Sequence, residues 1–438
     1  MKPISAAKEV GRVLAGRGAK GLERLRRLRL PRYRFLAYLG ILGPGLIAAS
    51  AGNDAGGIAT YSSAGAGYGY SFLWMLFLST FSLGVIQEMC ARMGAATGKG
   101  LSELIRENFG IRWTAFVMLC VLFANGTTVI SEFIGIAAAL ELFKIPRYVS
   151  IPIVTFSVWW LVVKGSYSRV EKIFLLMTFV FLGYIVSAFL AKPDWGQVAR
   201  GTLIPTFHLD GSYIALFLAT VGTTITPYMQ ISVQSLVVER GITMRDYAME
   251  RADVYFGVIT SNLVAFFIVI CTAATLYTHQ IKVDTAEQAA AALEPFAGVY
   301  AKALFAIGLF GASMLAASVL PLATAYSISE AFGFEKGISR SFKEAPIFMG
   351  IFTGLLVLGG LTAMIPGLPL IQVLIIVQVV NGLLLPVLLV SILRLVNDEE
   401  LMGEHRNGIV FNGIAWATTV VVIALSILLV ITAFHPLA

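Results

Sequence analysis

The sequence predicts an all-α polytopic membrane protein, and two observations carry that prediction. Of 438 residues, 58% are hydrophobic and only 13% charged, about half the charge of a typical soluble domain, and the mean hydropathy is +0.82. The apolar residues also gather into runs of about 20, and a helix of that length, rising 1.5 Å per residue, crosses a hydrocarbon core of about 30 Å.

The runs lie at residues 35–67, 70–94, 113–142, 149–164, 170–191, 212–239, 252–279, 297–331, 345–364, 370–395 and 410–434, which makes about eleven helices. Two connections, 192–211 and 280–296, are long. The others are short, so residues 35–438 read as one transmembrane domain with no soluble domain attached.

An isoelectric point near 9.2 suggests nucleic acid until the charges are located. Residues 2–34 carry eleven Lys/Arg against Glu9 and Glu23, a local +9 in a chain whose net charge is +7. The basic charge is therefore a tail, and no nucleic-acid partner is expected. Within segment 1–34, Leu22, Leu25, Arg26 and Arg29 mix at helical spacing, as in an amphipathic helix lying on anionic lipid. The alternative is a plain disordered basic arm. A cleaved signal is not expected, because the charged region is long and no small-residue cleavage site follows a short apolar core. Cys90, Cys120 and Cys271 all fall in apolar spans, which argues against a disulfide framework or a thiolate metal site.

Loop charge sets the expected orientation. With the N-terminus cytoplasmic, inside loops hold Arg92, Lys99, Arg106 and Arg112, then Lys164 and Arg169, Arg240, Arg245 and Arg251, Lys336, Arg340 and Lys343, and Arg394 and Arg406. Outside loops hold only Lys144, Arg147, Lys192, Arg200 and Lys282. The N-terminus is thus expected inside and the C-terminus outside a bacterial inner or plasma membrane.

Two spans are interrupted. In the first, Gly52-Asn53-Asp54-Ala55-Gly56-Gly57 puts a carboxylate beside adjacent glycines at membrane depth. An ionised Asp there costs roughly 2.5–3.5 kcal/mol on insertion scales, so it is kept where it faces a cavity, a partner or an ion. The glycines free backbone carbonyls to turn inward. In the sixth, Val221-Gly222-Thr223-Thr224-Ile225-Thr226-Pro227-Tyr228 surrounds a helix-breaking proline with hydroxyls. The two breaks occupy equivalent places in two blocks of five segments, 35–191 and 212–395, with 410–434 left over. Paired breaks of this kind point to a midplane site in an inverted-repeat transporter.

These residues resemble the Nramp family of divalent-metal transporters. Gly43-Pro44-Gly45-Leu46 followed by Asp54-Ala55-Gly56-Gly57-Ile58-Ala59-Thr60 resembles the family's Asp-Pro-Gly-Asn and Ile-Ala-Thr in helix 1. Glu132-Phe133-Ile134-Gly135 is similar to its Glu-Val-Ile-Gly, Thr226-Pro227-Tyr228 takes the place of Met-Pro-His, and Gln378 with Leu385-Pro386 resembles the helix 10 pattern. The resemblance implies a LeuT-like fold of two inverted five-helix repeats plus an eleventh helix, with helices 1 and 6 broken at the midplane around an ion.

The departures from the pattern concern selectivity. Members carrying Mn²⁺ and Fe²⁺ supply an Asp, an Asn, a Met sulfur and a backbone carbonyl, and soft sulfur separates transition metals from hard ions. Here Asp54 remains, Gly57 replaces the Asn and Thr226 the Met. A roomier oxygen site suits Mg²⁺, which keeps several waters, as in the Nramp-related magnesium transporters that this chain resembles most. Tyr228 and Val233 stand where the family has histidines associated with proton movement, and neither titrates near neutral pH. The candidate metal set is Asp54, Ala51, Gly57, Thr223, Thr226 and Gln378, with Tyr228, Asn381 and Glu132 lining the path.

Each residue has a plainer role beside it. Asp54 as a cap of the inner half-helix, Thr223 and Thr226 back-bonding within their helix, Gln378 and Asn381 joining helices, and Glu132 pairing with a polar group are all ordinary uses. Glu88 and Arg92, at i and i+4, are expected to form a structural ion pair. The expected function is divalent-cation transport, foremost Mg²⁺ by alternating access without proton coupling. The alternatives are proton-coupled Mn²⁺/Fe²⁺ transport and sodium-coupled transport of an organic solute. A sodium-coupled carrier would need a helix N-terminus free to meet a substrate carboxylate. An enzyme is not expected, since there is no His-Glu-x-x-His and the four histidines, His208, His279, His405 and His435, lie at helix ends or in loops. The ion is substrate and no cofactor or protein partner is evident.

Overall fold

Helices alone make up the regular structure of the described residues in the computed structural model, which are 53–163, 177, 179–245, 247–337 and 342–434. The α-helices that occupy the expected apolar runs are α1 Ala55–Tyr68, α2 Leu73–Thr97, α3 Leu101–Glu141, α4 Arg147–Val163, α5 Gly183–Leu190, α6 Gly211–Thr224, α7 Pro227–Glu239, α8 Tyr247–Thr275, α9 Ala301–Phe332, α10 Pro346–Ala363, α11 Leu370–Val396 and α12 Ile409–Phe434. Eight stretches are long and apolar enough to cross a membrane, and Arg147–Val163 and Phe179–Leu190 are shorter apolar helices. Every expected run thus coincides with helix over all or part of its length. The basic segment 1–34, the sequence around Gly43-Pro44-Gly45, Ala51 and the inner half of the first span lie outside the described residues.

Boundaries agree to within a few residues except at α3, which begins at Leu101 although its apolar run begins at 113. The added turns carry Glu103, Arg106 and Glu107, too polar to read as a span. Gly110, at φ 73° and ψ 175°, separates them from the rest, a conformation that glycine adopts without a Cβ penalty.

The helices fall into two groups. In one, α8 packs on α1 and α2, and α7 on α2; in the other, α9 and α10 pack on α3 and on each other, with α4 against α10. Helix α11 joins them, touching α6, α1 and α3, while α12 lies outside against α11 and α6. Lipid gives no hydrophobic drive for helices to associate, so they gather where small residues allow close contact. A Cβ on Gly222 of α6 would lie 2.2 Å from the Gln378 carbonyl oxygen of α11, and one on Gly382 would lie 2.6 Å from the Leu218 carbonyl oxygen. Both obstacles are backbone and cannot rotate away. Gly222→Ala is expected to cost about 1–3 kcal/mol by overpacking, seen as a lower melting temperature in detergent. Gly350→Ala, with nothing within 4 Å of its Cβ position, should leave that temperature unchanged or raise it; equal effects would contradict the crossing.

At the end of the bundle where α2 finishes, Glu88 and Arg92 form the expected pair at 3.2 Å. Tyr247 donates to the same carboxylate at 2.5 Å, and Arg92 donates to the His405 and Arg406 carbonyls at 2.8 and 3.1 Å. Arg92 at the end of α2 and the backbone at His405 and Arg406 before α12 therefore meet there.

Candidate cation site at the helix breaks

Asp54 is the N-cap of α1. Its backbone is extended (φ −71°, ψ 178°) and its Oδ1 accepts the Gly57 N–H at 2.6 Å. Sequence reasoning gives it the helix before it to cap; the structure gives it the helix that follows, because only N-terminal amides are left without intrahelical acceptors. One oxygen caps. The other, Oδ2, is buried with no protein donor, so a carboxylate oxygen points into the interior unspent.

Glu132 on α3 joins it. Its Oε2 accepts the Ala55 N–H at 3.4 Å and its Oε1 accepts from the Ser131 hydroxyl at 3.3 Å. Two buried carboxylates, Asp54 and Glu132, therefore share one helix N-terminus. That end of α1 is not open to a substrate anion, which counts against the organic-solute reading.

The second break is complete within the described residues. Helix α6 ends at Thr224, Ile225 leaves helical geometry at φ −117° and ψ 58°, and Thr226 is extended at φ −68° and ψ 143° before Pro227 opens α7, as the residue before a proline must be. Thr226 stands at an N-cap position yet makes no capping bond. Its hydroxyl and that of Thr223 are buried and accept nothing from the protein, whereas Thr220 and Thr224 back-bond to the i−4 carbonyls at 2.7 Å. Ordinary membrane-threonine behaviour thus describes Thr220 and Thr224 but not Thr223 and Thr226.

Helix α11 closes the site. The Gln378 amide lies over Gly56, where a Cβ would be 1.9 Å from Nε2. Its Oε1 takes Asn381 Nδ2 at 2.9 Å, and Asn381 Nδ2 also reaches Thr128 Oγ1 at 2.9 Å. Gln378 turns an unpaired nitrogen toward Gly56; offering its oxygen there instead would require Asn381 to turn with it, because Asn381 Nδ2 donates to that oxygen. Asn381 joins α11 to α3. Tyr228, in the first turn of α7, is buried.

Asp54, Gly57, Gln378 and Glu132 are therefore brought together around the start of α1, with Thr223 and Thr226 on the neighbouring break. Gly57 has no side chain to offer, and its N–H is spent on Asp54. Ala51 lies outside the described residues. Sequence reasoning passes over the bond that ties the two breaks, Tyr61 Oη to Thr224 Oγ1 at 3.1 Å; the signal available was Tyr61's place two turns beyond Asp54, on the same face of α1. Among the described residues no three His, Cys, Asp or Glu side chains converge, so an ion here would complete its shell with hydroxyl, amide, carbonyl and water oxygens.

Comparison with known proteins agrees with this architecture. A curated relative from Caldanaerobacter subterraneus subsp. tengcongensis, "Divalent metal cation transporter MntH", is 28% identical over 387 residues, spanning 85% of this chain and 88% of that one. The protein of the same name from Bacillus subtilis is 26% identical over 417 residues, 92% and 94% of the two chains. Among solved structures, the Eremococcus coleocola manganese transporter in complex with an aromatic bis-isothiourea substituted compound superposes with a TM-score of 0.74 at 21% identity, covering 92% of this chain and 88% of that one. The fold is thus LeuT-like and the chain an integral membrane protein. The family model for natural resistance-associated macrophage protein-like chains matches residues 45–432, and this protein belongs to the Nramp family.

Proposed function

We propose that this protein carries divalent metal cations across the membrane, holding the ion between Asp54 and the Thr223/Thr226 break, and that its preferred ion is Mg²⁺. The supporting observation is the donor set: one unspent carboxylate oxygen and two unspent hydroxyls, all oxygen. Magnesium takes oxygen ligands and sheds water reluctantly, so few protein donors and room for water suit it. Met229, the methionine in the first turn of α7, is the sulfur near this sequence position, and it receives Gln87 Nε2 at 3.9 Å.

Mn²⁺ or Fe²⁺ carriage coupled to protons is the second reading. The name of the Eremococcus coleocola manganese transporter favours its Mn²⁺ part, and the Glu132 carboxylate beside Asp54, a group on which a proton could travel, favours its coupling. Against coupling stand Tyr228 and Val233 at the histidine positions. A divalent ion entering down a membrane potential gains roughly 4.6 kcal/mol per 100 mV, enough for about a 10³-fold accumulation, so a uniporter suffices. The excess of loop charge supports reading the face bearing Arg92, Lys99, Arg240 and Arg251 as the cytosolic one, with anionic lipid as the proposed contact of segment 1–34.

The deciding measurement is uptake of Mg²⁺ and Mn²⁺ into proteoliposomes at fixed potential with an internal pH dye. Mg²⁺ should enter without acidification, and Glu132→Gln should leave internal pH as flat as in wild type. Metal-dependent acidification that disappears in Glu132→Gln would replace this reading with the proton-coupled one.

A further inference from the structure

Below the second break, Thr226, Gln230 and Gln234 follow one another along one face of α7 at i, i+4 and i+8. At 1.5 Å per residue they span about 12 Å. All three are buried, and each carries a side-chain oxygen that accepts no hydrogen bond from the protein: Thr226 Oγ1, Gln230 Oε1 and Gln234 Oε1. The amide nitrogens, by contrast, are used. Gln230 Nε2 donates to the Thr226 carbonyl at 3.4 Å and Gln234 Nε2 to the Lys99 carbonyl at 2.9 Å. Carbonyls only accept, so turning either amide would set oxygen against oxygen and the orientation is fixed.

Gln87 on the facing helix α2 repeats the arrangement, with Nε2 on Met229 and a buried Oε1 that accepts nothing. The row ends beside the turn after α2. There the Gln234 side chain abuts Gly94, and Glu330 Oε1 lies 2.1 Å from where a Cβ on Gly100 would be. The Glu330 side chain, 14% exposed, pairs with Lys336 at 3.7 Å.

A buried acceptor without a donor costs about 1–3 kcal/mol, and helix packing alone is better served by leucine. A file of acceptors has one natural guest. The water shell of a cation turns its hydrogens outward, so a partly hydrated cation presents only donors to its surroundings, and neutral amide oxygens hold it loosely enough to let it go. We infer that Gln230 and Gln234, with Gln87 opposite, form a second, inner station for the hydrated divalent cation between the Thr226 break and the face carrying Glu330. This rests on the reading of the breaks as a cation site.

The test uses the full chain in proteoliposomes with Mg²⁺ as the probe. The double variant Gln230→Leu/Gln234→Leu should lower the maximal uptake rate on the order of tenfold while the half-saturating external Mg²⁺ stays at the wild-type value, because the Asp54 site is untouched. A wild-type rate, or a loss that appears only in half-saturation, overturns the station. Should that variant fail to fold, Gln230→Cys and Gln234→Cys, each in a background with Cys90, Cys120 and Cys271 replaced by Ala, decide. Each should react with a cationic methanethiosulfonate added at the face where α7 ends, more slowly in saturating Mg²⁺. Failure of both to react in vesicles that transport overturns it. If the wild type itself moves no divalent cation, the proposed function fails; transport by wild type and leucine variant alike sinks only the inner station.

Discussion

Asp54→Asn is expected to reduce divalent-cation uptake to the level of protein-free vesicles while leaving stability within about 1 kcal/mol of wild type. Asparagine caps helices as well as aspartate does, so the bond from the Gly57 N–H to position 54, 2.6 Å long in the native protein, survives the exchange. What disappears is the negative charge and the basicity of Oδ2, the oxygen that no protein donor satisfies. Removing it also relieves repulsion with Glu132, which shares the start of α1, and that relief works against any loss of stability. Asp54→Ala is the less clean variant, since it deletes the cap as well, for about 1 kcal/mol. Uptake of Mg²⁺ and Mn²⁺ alongside thermal unfolding separates the two effects. A well-folded Asp54→Asn protein that transports at the native rate would remove Asp54 from the ion site.

The spans were legible because bilayer thickness imposes a length, and a run of about 20 apolar residues meets it wherever it occurs. The second break was legible for a local reason: Pro227 cannot donate and fixes the geometry of Thr226. The start of α3 was not, because Glu103, Arg106 and Glu107 interrupt the apolar run that marked the other spans. The partnership of Asp54 with Glu132 was hidden for a different reason. They are far apart in the chain, and helical periodicity says which face a residue occupies but not which helix that face will meet. The same limit concealed the Tyr61 to Thr224 bridge and the position of Gln378 above Gly56. Sequence also cannot distinguish the four threonines around Pro227. Thr220 and Thr224 back-bond whereas Thr223 and Thr226 do not, and that difference appears only once each hydroxyl's neighbours are known.

Gly57→Asn combined with Thr226→Met should shift the protein toward Mn²⁺, raising the ratio of Mn²⁺ to Mg²⁺ uptake on the order of tenfold, equivalent to about 1.4 kcal/mol of differential binding. Position 57 lies in the first turn of α1, three residues from Asp54, so an asparagine side chain there rises on the same face as the carboxylate. The Thr226 hydroxyl makes no capping bond, so its replacement sacrifices no interaction, and the methionine sulfur takes space that the native site leaves for water. Sulfur holds Mn²⁺ better than Mg²⁺, and a smaller cavity penalises the ion that keeps more of its shell. Thr226→Met alone should account for most of the shift, since Gly57→Asn adds only another oxygen, available to both ions. Mn²⁺ uptake into vesicles against a large excess of Mg²⁺ reads the ratio directly. Little change from wild type in the double variant, with folding intact, would mean that positions 57 and 226 do not face the transported ion, and the oxygen donor set would lose its claim to explain the selectivity.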